Sequence, residues 1–294
     1  MAASPLLQPI KLGLLTPLSG PIGLLGPSSI NCAKLAVREI NDDGGIFGRP
    51  LTLVAGDGGG DAGDIARVAE EMIGQGAQAI VGTHVSTNRV ALVEAIGGRV
   101  PYVYTTMYEG GEYSFGVFLC GETPEHNLLP LLRWLTRNRQ VRSWYLIGND
   151  YVFPRLSMLR ARQQMAELGG RIVGEEYLPF LVDDFSASLD RIAASGADAV
   201  LSYLVGTDGI VFHRQFAERG LASSMIRAAP VTCENSLLGI GADATGEMYT
   251  ATGFANSMAS PSTASFRDRY RACFGDAAPI LNRFGLSCYE GVHL

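Results

Sequence analysis

Trp144-Tyr145-Leu146-Ile147-Gly148-Asn149-Asp150-Tyr151-Val152-Phe153-Pro154-Arg155 is the stretch whose reading decides the fold. An apolar, β-forming run enters a sharp turn, and a helix starts at a proline. Proline suits a first helical turn because its missing N–H has no helical partner there. In open parallel sheets, ligands sit just past the carboxyl ends of strands. Tyr151 and Phe153 are therefore expected where a small molecule lies.

The same alternation extends in both directions. Strands are expected at 10–15, 51–55, 79–81 and 100–104, with helices at 28–41, 64–75 and 87–96 between them. The pattern restarts after Gly121-Glu122-Thr123-Pro124. Helices follow at 125–139, 155–168, 185–194 and 208–219, with strands at 143–147, 171–177, 199–204, 226–229 and 248–252. Such βα runs build parallel sheets covered on both faces. The expectation is an α/β fold of two doubly wound parallel-sheet lobes joined by a multi-strand hinge. An N-terminal lobe spans 1–122, a second spans 123–252, and 253–294 crosses back. A last helix from about Asn282 reaches Leu294 with no return strand. We therefore expect a missing C-terminal part, which would leave Ile280, Leu281, Phe284, Leu286 and Tyr289 poorly covered.

With 294 residues, 47% of them apolar, the chain can bury two cores. The net charge of −6 and the lack of basic stripes exclude direct nucleic-acid binding. No apolar run reaches membrane-spanning length, so no membrane span is expected. Residues 1–9 carry neither a basic n-region nor an apolar h-region. That reads as cytoplasmic, or as periplasmic if a signal has been trimmed. Cys32, Cys120, Cys233, Cys273 and Cys288 are widely spaced and include no CxxC, so they read as small buried side chains. Neither a metal nor a cofactor is expected.

Taken together, the segments resemble the type I periplasmic-binding-protein fold. Lys11-Leu12-Gly13-Leu14-Leu15-Thr16-Pro17-Leu18-Ser19-Gly20 is similar to the family's first strand and loop. Ala36-Val37-Arg38-Glu39-Ile40-Asn41, followed by Gly44-Gly45-Ile46-Phe47-Gly48-Arg49-Pro50, is similar to its next block. Tyr108-Glu109-Gly110-Gly111-Glu112-Tyr113-Ser114, Gly148–Arg155 and Gly174-Glu175-Glu176-Tyr177-Leu178-Pro179 look like motifs of the short-chain amide and urea branch. That branch includes the amide sensor of amidase operons and the substrate-binding proteins of urea ABC transporters. Val205-Gly206-Thr207 looks closer to the amide sensor.

The resemblance implies a non-enzymatic protein whose lobes close on a small neutral amide or urea-like ligand. Its protein partner would be an antitermination regulator, and its role the control of amidase-type gene expression. The alternative is the substrate-binding component of an ABC transporter for urea, short amides or branched-chain amino acids, with a permease as partner. In the first lobe the implied ligand contacts are Ser86, Tyr104 and Thr106. His84 stands where the amide sensor usually has Tyr, and Met107 where proline is common. Ser86 also reads as the N-cap of its own helix. In the second lobe they are Tyr151, Phe153, which lacks the hydroxyl of some relatives, and Thr232. Glu234 is the one acid nearby and would favour a cationic ligand group.

Two other patterns carry less. Gly58-Gly59-Gly60-Asp61-Ala62-Gly63 matches GxGxxG formally, but it follows the second strand and is ringed by Asp57, Asp61 and Asp64, which repel a pyrophosphate. Cys233-Glu234 lacks a matching lysine for a thiol-nucleophile set. Ser86 and His84 lack an orienting carboxylate for a triad.

Overall fold

Apolar strands alternate with helices to form two parallel sheets of five strands each. The structure, a computed structural model, describes residues 8–294. In chain order the elements begin β1 (Ile10–Thr16), α1 (Gly26–Asp42), β2 (Leu51–Asp57), α2 (Ala62–Gly74), β3 (Ala79–Gly82), α3 (Ser86–Ile96), β4 (Tyr102–Tyr104) and β5 (Val117–Leu119). They continue with α4 (Leu128–Asn138), β6 (Ser143–Asn149), α5 (Val152–Glu167), β7 (Arg171–Leu178), α6 (Ser186–Ala194), β8 (Ala199–Tyr203) and α7 (Gly206–Glu218). The last are β9 (Ile226–Ala228), α8 (Glu234–Ile240), β10 (Met248–Tyr249), α9 (Pro261–Phe274) and α10 (Arg283–His293). The chain divides into two units. Unit 1 comprises residues up to Met107, Gly111–Gly121 and Asn256–Leu294, and unit 2 comprises Tyr108–Gly110 and Glu122–Ala255.

In unit 1 the strand order is β2-β1-β3-β4-β5. The chain leaves β1 on one side for β2 and crosses to the other side for β3. The carboxyl ends of β1 and β3 therefore flank a topological switch point, the usual ligand position in such sheets. Leu12, Leu14, Ala33, Ala36, Val81, Val103, Cys288 and Val292 form one core, in which α1 and α10 cover the sheet. Asn282 caps α10, its Oδ1 accepting from the N–H groups of Phe284 and Gly285 at 2.9 and 3.0 Å. Its Nδ2 donates to Ser28 Oγ at 2.8 Å and so fixes α10 on α1. Leu281 and Phe284 are buried, contrary to the poor coverage expected of them. At Gly291 a Cβ would lie 2.5 Å from Thr105 Cγ2, so α10 approaches the end of β4 as only glycine allows.

In unit 2 the order is β10-β9-β8-β6-β7, with the switch point between β6 and β8. Every residue of β6 is buried, as befits a central strand covered on both faces. Tyr145, Ile147, Phe185, Leu189, Val200, Phe212 and Phe216 make up its main core on one side.

Three elements depart from the sequence reading, which has no strand at β5 and no helix at α8 or α9. The helix after β6 also begins at Val152, ahead of the expected 155, with Pro154 inside its first turn. Proline is tolerated there for the same reason, since first-turn N–H groups have no partner within the helix. No helix among the described residues is long and apolar enough to cross a membrane.

Candidate ligand-binding edges

The turn after β3 organises the carboxyl edge of unit 1. His84 is fully buried, and its Nδ1 lies 3.1 Å from the Val85 carbonyl. A carbonyl only accepts, so Nδ1 carries the proton. Nε2 then accepts from the Tyr102 hydroxyl at 2.8 Å. Burial, with Arg89 nearby, holds the imidazole down to about 4 despite the Val85 contact, so it is neutral at pH 7. Tyr104 donates to the His84 carbonyl at 2.8 Å, and Ser86 Oγ lies 3.5 Å from the same phenol oxygen. Thr106 Oγ1 accepts from the His84 N–H at 2.9 Å. His84, Ser86, Tyr104 and Thr106 thus form one buried cluster, with Met107 also buried beside it. A Cβ at Gly121 would lie 1.9 Å from the Thr106 carbonyl oxygen, so the 106–107 backbone rests directly on that glycine.

One sequence expectation is corrected here. Val85, not Ser86, is the N-cap of α3, and no side chain caps that helix. Ser86 is its first helical residue. With the cap position held by valine, the first-turn N–H groups present the positive end of the helix dipole without a competing side-chain acceptor.

The sequence reading also missed a charged pair behind this edge. Arg89, one turn into α3, bonds Glu112 through Nε at 3.2 Å, with both side chains nearly buried. Its guanidinium lies 5.3 Å from the centre of the Tyr104 ring. Burial raises the Glu112 carboxyl, but hydrogen bonds from Ser114 and Arg89 outweigh it and leave the group below its ordinary value. An arginine just ahead of the apolar stretch Val90–Val93 was the available signal. A further latch lies between β1 and β2: Asp57 accepts from Leu18 N at 2.8 Å, Ser19 Oγ at 2.6 Å and Gly59 N at 2.8 Å. At the start of α2, Asp61 accepts from Gly63 and Asp64, so the glycine-rich run closes on its own helix instead of exposing it to phosphate.

The carboxyl edge of unit 2 is aromatic. Tyr151 is the N-cap of α5 in extended conformation, and its ring centre lies 5.0 Å from Phe180 and 6.2 Å from Phe153. Phe153 is buried edge-on against Tyr203, which ends β8, at 5.3 Å. Thr232 is buried in the turn after β9, its N–H donating to the Ala229 carbonyl at 3.1 Å. Glu234 is partly exposed at the first position of α8, and Cys233 is the cap residue before it. Tyr151 and Phe153 thus follow β6 and Thr232 follows β9, the two strands that flank β8. Phe180 and Tyr203 are additions that the sequence reading lacked. Cavities of about 260 Å³ beside α9 and about 370 Å³ beside α7 and α8 lie away from both edges.

A periplasmic binding protein family model matches residues 9–294. A Leu/Ile/Val-binding protein homolog 7 of Brucella suis is 26% identical, over 93% of this chain and 73% of its own length. The branched-chain amino acid transporter substrate-binding protein LivJ of Streptococcus pneumoniae, solved with isoleucine, superposes with a TM-score of 0.86 at 21% identity, covering 97% of this chain and 82% of that one. A solute-binding protein of an ABC transporter from R. palustris, solved with 4-hydroxybenzoate, gives 0.86 at 20% identity, covering 97% and 78%.

Proposed function

The chain belongs to the periplasmic binding protein family, and from that premise we propose that it is the solute-binding component of an ABC transporter, binding a small carboxylate with an apolar or aromatic body. The observation that carries this reading is the uncapped start of α3 at the carboxyl edge of the unit 1 sheet. A helix N-terminus without a side-chain acceptor favours a ligand anion. The neutral His84 and the paired Arg89 and Glu112 add no net charge beside it. The rings of Tyr151, Phe153 and Phe180 form an apolar surface on unit 2 suited to such a body. Ser86, Tyr104, Thr106, Tyr151 and Thr232 are the proposed contacts, and His84, Met107 and Phe153 support them from behind.

The partner on this reading is an ABC permease, and the ligand leaves chemically unchanged. The periplasmic location fits it better than the cytoplasmic one. A short amide or urea as ligand, with an antitermination regulator as partner, is the second reading. It is favoured by the motifs at 108–114 and 148–155.

Thermal unfolding with isoleucine, 4-hydroxybenzoate, acetamide and urea tests the choice. A ligand that binds only the native state raises the melting temperature by mass action. Stabilisation by a carboxylate supports the transport reading, whereas stabilisation by acetamide or urea alone supports the amide reading. No stabilisation by any of the four removes both.

A further inference from the structure

Asp208, in the first turn of α7, is buried and spends its carboxylate on uncharged donors. Oδ2 accepts from Asn149 Nδ2 at 2.6 Å and from the Leu181 N–H at 3.1 Å, and Oδ1 accepts from the Val182 N–H at 3.0 Å. Asn149 ends the central strand β6. Its Oδ1 accepts from Val205 N at 2.8 Å, and its Nδ2 also reaches the Pro179 carbonyl at 3.2 Å. The loop after β7 is therefore fastened at residues 179, 181 and 182 to the end of β6 and the start of α7.

The loop needs the fastening. Leu181 has φ 65°, a left-handed conformation unfavourable for leucine, and the residue is 67% exposed, so it gains little from burial. A non-glycine residue stays in that region only where its surroundings over-determine it. The residue so placed follows Phe180, whose ring packs on Tyr151 at 5.0 Å.

We propose that Asp208 is a positioning residue and Phe180 a specificity-determining one: the carboxylate fixes the 179–182 loop so that Phe180 and Tyr151 form an aromatic shelf for the flat or apolar body of the ligand. The proposal rests on the solute-binding reading. It favours planar or branched carboxylates over acetamide-sized ligands, which cannot cover two rings.

The test uses the whole chain with isoleucine and 4-hydroxybenzoate as probes. Asp208→Asn, Phe180→Leu and the double variant are compared with wild type by calorimetry and by near-ultraviolet circular dichroism. Asparagine at 208 turns one acceptor into a donor that faces the loop amides. Each single change should weaken the better probe about tenfold, Phe180→Leu by removing an aromatic contact and Asp208→Asn by releasing the loop that holds it. The double variant should be no weaker than the worse single one, because both act through the same ring. Asp208→Asn should alter the tyrosine band as Phe180→Leu does. Unchanged affinity in Phe180→Leu overturns the shelf, and that outcome is readable even if Asp208→Asn fails to fold. An unchanged tyrosine band in folded Asp208→Asn overturns the positioning role. If wild type binds neither probe, the carboxylate reading fails by itself, while the tyrosine band still decides whether Asp208 holds the ring.

Discussion

The main-chain N–H of His84 donates to the side-chain hydroxyl of Thr106 at 2.9 Å, joining the turn after β3 to the turn after β4. Thr106 is buried and engaged within the protein, so it shapes the edge whether or not ligand is present. Thr106→Val keeps the shape and leaves that N–H without an acceptor. The expected loss is about 1–3 kcal/mol of stability. Urea denaturation of the ligand-free protein measures it, and a midpoint equal to wild type would show that the bond contributes nothing.

His84 makes stability depend on pH. Its folded value of about 4 lies below the ordinary 6.5, mainly because burial disfavours the imidazolium. The unfolded chain therefore binds a proton between these values and the folded chain does not. Its contribution is complete above about pH 6.5 and is lost as pH falls toward 4, by roughly 3 kcal/mol in all. His213, held at about 3 by burial with Arg227 adding, acts in the same direction. Replacing His84 by Gln should reduce proton uptake on unfolding by about one at pH 5. Denaturation series at several pH values give that uptake as the slope of stability against pH.

Gly291→Ala tests the contact of α10 with β4. In an isolated helix the change would stabilise by about 1 kcal/mol. Here the new methyl meets the β-branched Thr105 at 2.5 Å and Val103 at 3.3 Å. Overpacking of this kind costs about 1–3 kcal/mol, so net destabilisation is expected. A variant that melts above wild type would show that α10 shifts freely.

Asp57→Ala releases the loop after β1. The Leu18 and Gly59 amides lose their acceptor and Ser19 its partner. Burial raises the Asp57 carboxyl, but these hydrogen bonds leave it below its ordinary value, so its contribution is present above about pH 4 and fades as pH falls. Hydrogen exchange should quicken at Leu18 and Gly59 in the variant at neutral pH and hardly change at Tyr145. Unaltered exchange at Leu18 would rule out the latch.

The βα alternation was legible because its strands are apolar and its helices carry turn residues at their ends. β5 was not: it has three residues, none of them buried, so no periodicity develops. α8 spans seven residues and begins at a cysteine cap without a side-chain bond. α9 was readable in principle, since Ser260-Pro261 is a cap followed by an N1 proline, but the polar cluster before it suggested a crossing loop. At the candidate edge, alternation puts Tyr102 and Tyr104 on one face of β4, yet it does not say what they meet. Both phenols are taken up by His84, and the Arg89–Glu112 pair joins residues 23 apart, which local spacing does not reveal.

Unit 1 is built from separated stretches of chain, and its α1 face is closed by Cys288 and Val292 on α10. A ribosome delivers these residues after the whole of 122–255. All of 122–255 has emerged, and the second sheet has every strand it needs, while Leu12, Leu14 and Ala33 still await their cover. The α1 face of unit 1 therefore closes only after the strands of unit 2 have been made. During that interval the nascent chain presents an apolar sheet face, the kind of surface on which chaperones act and aggregation begins.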